Sequence, residues 1–431
     1  MVPPEARRSY LRLVVLGAVI GVPASVVAAG FLALVHRLEH WLWTDLPEAL
    51  GGTAPQWYLV VGLPIVGAAV VVAARTLLPG DGGHSPLDGV AGGPTALVAI
   101  PGVAIAAVGS LSFGAVLGPE APLIALGSVA GLIIGRVLTL GTRGERALDA
   151  AGSFAAISAL FGGPLVGGVL MVEGSVGLGA AVIPVMLPGF VAAAVGYVVF
   201  IGIGSWGGVG ASTLSIPGLP LYDGTHLLDL LLAVAIGVGT GGLVSAVRTL
   251  GRRIDVNTVK RLGSTMVLLA GAAAVGLLAE AADLLGANPQ DVLFSGQASM
   301  SALVGEDSTK IVLVLLVAKA LAYAICLGCG FRGGPVFPAI FLGVALAALG
   351  IVLLDLSPTV AVAIGAGAGA AAMTRLLLTS VLLATLLVGS NGLDAVPAAV
   401  LAAVGAWLTV TLLEARAATR AAVDAVTEGP E

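Results

Sequence analysis

Long apolar runs broken by short polar or Gly/Pro-rich stretches fill this chain from end to end. The runs are Leu13–Val35, Trp57–Val72, Pro94–Leu117, Ala121–Ile134, Ala150–Val172, Val176–Ile203, Leu230–Val247, Met266–Ala279, Ile311–Leu327, Ile340–Leu354, Thr359–Met373, Leu376–Val388 and Ala395–Leu413. A straight membrane-spanning helix needs about 20 residues. Several runs are shorter than that. The pattern therefore predicts an all-α polytopic membrane protein in which many helices are tilted, re-entrant or broken.

Charge between the runs suggests an orientation, because Lys and Arg favour the cytoplasmic side. Arg7, Arg8 and Arg12 precede the first run, which reads as a retained span and not a cleaved signal. The segment Arg37–Gln56 carries Glu39, Asp45 and Glu48 against Arg37, with Trp41, Trp43 and Trp57 suited to an interface. Gly204–Thr225 has Asp223 and no Lys or Arg. Val247–Gly263 has Arg248, Arg252, Arg253, Lys260 and Arg261 against Asp255. Both termini and the Val247–Gly263 loop are expected in the cytoplasm, in a multi-pass plasma-membrane protein. The two halves then start in opposite senses: 1–205 as a first half-repeat, 206–225 as a connecting loop, 226–415 as an inverted second half, and 416–431 as a cytoplasmic tail. Inverted repeats bind substrate near the midplane, between broken helices.

Composition sharpens the class. Of 431 residues, 58% are hydrophobic and 10% charged, with a mean hydropathy of +1.09. Soluble domains carry about 25% charged residues. No basic, aromatic-rich segment suggests a nucleic-acid partner. Gly accounts for 63 positions, about twice the usual share. Most of these suit close helix packing, and the remainder mark helix breaks. Cys326 and Cys329 read as small packing residues, since no other ligand-type side chains surround them.

One acid stands out. Glu120 is the sole charged side chain between Pro94 and Ile134. An ionisable group at that depth is costly and points to function. It lies in Gly118-Pro119-Glu120-Ala121-Pro122, where Gly118 frees a turn and Pro119 suits the first position of a helix. Two further clusters can also start helices: Gly82-Gly83-His84-Ser85-Pro86, and Gly333-Gly334-Pro335-Val336-Phe337-Pro338. Helix amino ends expose unpaired N–H groups and partial positive charge. One such end contributes about 0.3–2 kcal/mol, whereas an isolated buried ion costs on the order of tens. Several ends must converge, beside an aqueous vestibule, to hold an anion.

These clusters resemble the CLC family of chloride channels and proton-coupled chloride antiporters. The family's Gly-Ser-Gly-Ile-Pro is matched by Gly82 and Pro86, its Gly-Lys/Arg-Glu-Gly-Pro by Gly118, Glu120 and Pro122, and its Gly-x-Phe-x-Pro by Gly334 and Pro338. A further stretch, Phe161-Gly162-Gly163-Pro164-Leu165-Val166-Gly167 followed by Glu173, also fits. The resemblance implies a homodimer in the bilayer, one pore per subunit, built from inverted halves. It implies Glu120 as the gate, blocking the path when ionised and admitting an anion when protonated. The implied anion-binding positions are Gly83, Ser85, Gly118, Ala121, Gly334, Val336 and Phe337. Lys319 and Arg332 are candidates for electrostatic roles, and Glu120 and Glu173 for a proton path. Chloride or a similar small anion is the expected substrate, with protons as a second one in coupled members. No cofactor, metal or enzymatic activity is expected.

The departures bear on mechanism. Gly83 stands at a serine position, and no tyrosine follows Tyr323 where the family carries one near the inner gate. Phe337 is displaced by one place, and Pro335 lacks an N–H. The inner constriction is therefore expected to be wider, less selective, or built on another chemistry. Gly174 occupies the place where antiporters often carry an internal proton-transfer glutamate. Glu173 either substitutes for it or fixes helix ends by hydrogen bonding. Lys319 either raises the local anion concentration or is a paired or snorkelling side chain. Arg375 reads as a helix cap, and His84 as either a titrating or a partly solvated loop residue. Channel-like or weakly coupled anion flux leads; proton-coupled antiport of chloride or fluoride is the alternative. An intramembrane zinc protease is disfavoured: the inverted motif His36-Arg37-Leu38-Glu39-His40 has no evident third ligand.

Overall fold

The computed structural model describes residues 4–89, 95–174, 183–207, 214–255, 261 and 263–427. Pro94, residues 176–182 and 208–213, Lys260 and residues 428–431 lie outside the described residues. The described chain is helical, and nine of its helical segments are long and apolar enough to cross a membrane.

We label the principal helices α1 (Pro4–His40), α2 (Trp57–Leu77), α3 (Ile100–Leu111), α4 (Glu120–Val137), α5 (Gly141–Leu160), α6 (Pro164–Gly174) and α7 (Ile183–Gly207) in the first half. The second half contains α8 (Leu227–Arg253), α9 (Ser264–Asp283), α10 (Thr309–Cys329), α11 (Val336–Leu354), α12 (Pro358–Thr374), α13 (Leu377–Val388) and α14 (Val396–Thr427). In the first half α1, α4, α5 and α7 pack together; in the second, α8, α11, α12 and α14 do so. Small residues make this possible. Gly127 and Gly152 bring α4 and α5 so close that a methyl on either would overlap the other's backbone, as would a methyl on Gly131 against Leu148. Gly343, Gly365 and Gly369 play the same part between α11 and α12.

Several runs depart from the pattern read along the sequence. Among the described residues of Pro94–Leu117, a 3-10 turn at Leu97–Ala99 leads into the 12-residue α3, followed by irregular backbone up to Pro119. Ala150–Val172 is cut after Leu160, where Gly162 takes φ +70° and Pro164 starts α6. The segment Arg37–Gln56 is a loop only after Ala49: α1 passes into a π-helical turn, Trp41–Asp45, and then into Leu46–Ala49. His40 pairs with Asp45 across that turn at 3.1 Å. Trp43 is not interfacial. It is 3% exposed, and its Nε1 donates to Ser112 O at 3.0 Å, because the backbone before α4 leaves an unpaired carbonyl that only a buried donor can reach. Trp41 and Trp57 are exposed, as an interface requires. The tail from 416 continues α14 to Thr427.

The backbone before α8 is anchored to it. Tyr222 donates its O–H to Asp229 Oδ2 at 2.5 Å, and burial followed by that carboxylate pushes the tyrosine up to about 12.

Candidate functional site

Two of the three Gly/Pro clusters meet. Gly118 N donates to Gly334 O at 2.7 Å, and Gly334 N returns the bond to Gly118 O at 2.5 Å. The pair forms an isolated antiparallel bridge. Immediately after each glycine a proline caps a helix in the same conformation: Pro119 at φ −83°, ψ 1° before α4, and Pro335 at φ −95°, ψ 0° before α11. Pro119 thus stands one place before the helix it was expected to begin, and Glu120 is the first helical residue. The amino ends of α4 and α11 are brought to one point by residues 216 apart in sequence.

Glu120 fills that point. Its side chain is fully buried, and Oε1 accepts from the amide of Phe337, the second residue of α11, at 2.9 Å. The amides of Val336 and of Glu120 itself also face the carboxylate. Oε2 is buried and makes no hydrogen bond. Room for the carboxylate comes from the two glycines, since a Cβ on either Gly118 or Gly334 would overlap Oε2.

The surroundings hold this geometry. Tyr323, fully buried on α10, donates its O–H to Pro335 O at 2.6 Å and so fixes the cap of α11. Cys326, one turn later, accepts from the amide of Val116 at 3.2 Å and fixes the strand of backbone leading to Gly118. Phe161 stacks on Phe337 with ring centroids 5.7 Å apart, which brings the break after α5 against α11.

The remaining expected residues divide. Ala121 and Val336 flank the carboxylate within the first turns of α4 and α11. Gly83 and Ser85 belong to a neighbouring cluster: Gly83, at φ +100°, faces Val103, and Ser85 Oγ accepts from Leu87 N at 3.3 Å, leaving its hydrogen to donate. The link to that cluster is Arg332. Its Nη2 contacts Asp81 Oδ2 at 2.5 Å, its Nε donates to Asp81 O at 3.1 Å, and Arg75 shares the same carboxylate at 2.8 Å. Lys319 is fully buried; Nζ donates to Asp291 O and Leu293 O at 2.8 and 2.9 Å and lies 4.3 Å from the Phe341 ring centroid. It is a paired lysine, held by carbonyls and not by an acid. Glu173 accepts from Leu378 N, Thr379 N and Thr379 Oγ1 at 3.0, 2.9 and 2.8 Å, and so caps α13 from another helix. Arg375 ends α12 in the left-handed region.

Asp81, Arg75 and the cap role of Tyr323 were missed from sequence. The signal for the central pairing was present: Gly-Pro-x-x-Pro occurs at both 118–122 and 334–338.

The family model described as voltage gated chloride channel matches residues 85–410, most of the chain and all of this site except Arg75, Asp81 and Gly83. The chain belongs to the CLC family. Among CLC-like relatives, the protein named "Putative ion-transport protein YfeO" of Escherichia coli (strain 55989 / EAEC) is 29% identical over 360 residues, covering 81% of each chain. Its counterpart in Shigella boydii serotype 4 is 28% identical over the same length. Two solved CLC-type structures share the fold. A slow cyanobacterial Cl−/H+ antiporter aligns with a TM-score of 0.76 at 20% identity, over 93% of this chain and 95% of that one. A CLC-type fluoride/proton antiporter aligns at 0.70 and 20%, over 92% and 95%. Membership makes this a multi-pass protein of CLC-type anion transport.

Proposed function

We propose that this protein moves a small monovalent anion, chloride being the expected one, through a path gated by Glu120, with channel-like or weakly coupled flux. The observation that carries this reading is the Phe337 N–H to Glu120 Oε1 bond at 2.9 Å. A negatively charged oxygen already rests at the amino end of α11, where unpaired amides favour an anion. The bare Oε2 makes the ionised carboxylate a costly occupant. Protonation removes its charge and lets a permeant anion compete for the amides. Individually weak contacts then let that ion leave.

Weak coupling is favoured by Glu173. Both of its oxygens are engaged in capping α13, and Gly174 follows it. The second reading, proton-coupled antiport of chloride or fluoride, is favoured by the likeness to two antiporter structures. We place the Arg248–Arg253 end of α8 and both termini in the cytoplasm of a plasma-membrane protein. We assign 1–205 and 226–415 as inverted halves, and assign a homodimer, as the family resemblance implies.

Reversal potentials in reconstituted bilayers, under separate anion and proton gradients, test this. Potentials that follow the anion gradient alone support the uncoupled reading. Stoichiometric uphill proton movement driven by chloride would replace it with antiport.

A further inference from the structure

Two guanidinium groups converge on one carboxylate where α8 and α12 end. Arg248 Nη1 lies 3.1 Å from Glu414 Oε1, and Arg375 Nη2 lies 2.6 Å from Glu414 Oε2. Arg252 is within electrostatic reach of both Arg248 and Glu414. Two guanidiniums therefore share a single carboxylate, and Arg252 stands one turn further along α8. The arginine side chains are 15% and 24% exposed, while the carboxylate is 50% exposed. Arg248 Nε is buried and has no hydrogen-bond partner, a charged donor left over after Glu414 has been satisfied.

The cations are held more firmly than the carboxylate. Arg375 is locked between α12 and α14: Nη1 donates to Trp407 O at 3.1 Å and Thr411 Oγ1 at 3.0 Å, and Arg375 O accepts from Trp407 Nε1 at 3.2 Å. Glu414 projects from the exposed flank of α14, and ion pairs open to water are weak. The carboxylate is the member that can leave.

The cluster is connected through α12 to the amino end of α11. Gly369 of α12 packs on the Ala339 carbonyl in the first turn of α11. Arg375 follows six residues later, about 9 Å further along the helix.

We infer that Arg248 and Arg375, backed by Arg252, form a second site for a small anion at the basic mouth of the path, and that Glu414 occupies it as a displaceable competitor. Glu120 would do the same at the midpoint. This inference rests on the reading of a small anion as substrate, but it assigns a different site and a different competitor.

The test compares wild-type protein with Glu414→Gln and Arg248→Gln, all full length. Anomalous diffraction from crystals soaked in bromide is expected to place an ion between Arg248 and Arg375 in Glu414→Gln. In reconstituted bilayers, half-saturating chloride on the face bearing Arg248 is expected to fall about three- to tenfold in Glu414→Gln and to rise by a similar factor in Arg248→Gln, tenfold being about 1.4 kcal/mol. The response to pH set by Glu120 should persist in both, so failure of that gate would leave the bromide result readable. Absence of bromide together with unchanged half-saturation overturns the inference. A phospholipid headgroup resolved on the two guanidiniums in nanodiscs also overturns it, in favour of a lipid site.

Discussion

Phe337 donates its backbone N–H to the Glu120 carboxylate across 217 positions of sequence, at 2.9 Å. The bond puts an acid from one half of the chain on the helix end of the other. If that acid competes with the permeant ion, removing its charge should open the path. Glu120→Gln is expected to raise anion flux at neutral pH and to flatten its dependence on external pH. Fluxes from proteoliposomes measured across the pH range check this. Superimposable wild-type and mutant profiles would remove Glu120 from the gate.

A second substitution reaches the same carboxylate without touching it. A methyl at position 334 would overlap the Glu120 carboxylate and lie 2.8 Å from Glu120 Cβ, so the carboxylate must leave and the first turn of α4 must shift slightly. Gly334→Ala should therefore push an ionised Glu120 out of its seat while keeping its charge. Flux should become constitutive, as in Glu120→Gln, and the double variant should add nothing further. If Gly334→Ala instead retains wild-type gating, the carboxylate does not need this seat to close the path.

The fold class was legible because a lipid environment leaves a strong signature: continuous apolar runs with few charges. Glu120 was legible for the same reason, as one charge in a long apolar run. Pairing was harder to see. Gly118 and Gly334 exchange hydrogen bonds through backbone alone, so the repeated Gly-Pro-x-x-Pro at 118–122 and 334–338 marks the two partners without saying that they meet. Trp43 misled because an aromatic near a helix end satisfies an interface or a buried carbonyl equally well, and only the partner, Ser112 O, decides. Asp81 escaped notice because its importance comes from Arg332, 251 residues away.

Tyr323 fixes the cap of α11 through a single bond to Pro335 O, in fully buried surroundings. Tyr323→Phe leaves that carbonyl without its donor, at a cost of about 1–3 kcal/mol. Thermal unfolding in detergent should shift down accordingly. The pH at half-maximal flux should shift as well, since the amides of Val336 and Phe337 lose their fixed aim. A lowered melting temperature with an unmoved pH midpoint would make Tyr323 purely structural.

Alkaline pH offers a test of the anchor before α8. Tyr222 titrates at about 12 in the folded protein, against about 10 in an unfolded chain. Its folded value is the higher one, so its contribution is complete below about pH 10 and is lost as pH rises through 12. Tyr222→Phe should be less stable than wild type at neutral pH, because Asp229 loses its donor. The gap should close at high pH. Melting curves of both proteins from pH 8 to 12 measure it; a constant gap would mean that the hydroxyl does not govern this joint.

Glu173 separates the two transport readings. As a cap it accepts from two amides and a hydroxyl at the start of α13, so Glu173→Ala should cost about 1–2 kcal/mol of stability. Glu173→Gln cannot carry a proton and keeps one acceptor oxygen, but it turns an NH2 toward a donor that Glu173 had satisfied, so α13 should be held less firmly than in wild type and more firmly than in Glu173→Ala. Under weak coupling, Glu173→Gln leaves both anion flux and any proton leak near wild-type levels. Under antiport through Glu173, it abolishes proton movement while anion flux continues. Parallel chloride-efflux and proton-uptake recordings on the Gln variant decide between them, and the Ala variant shows how much of any loss comes from unseating the helix.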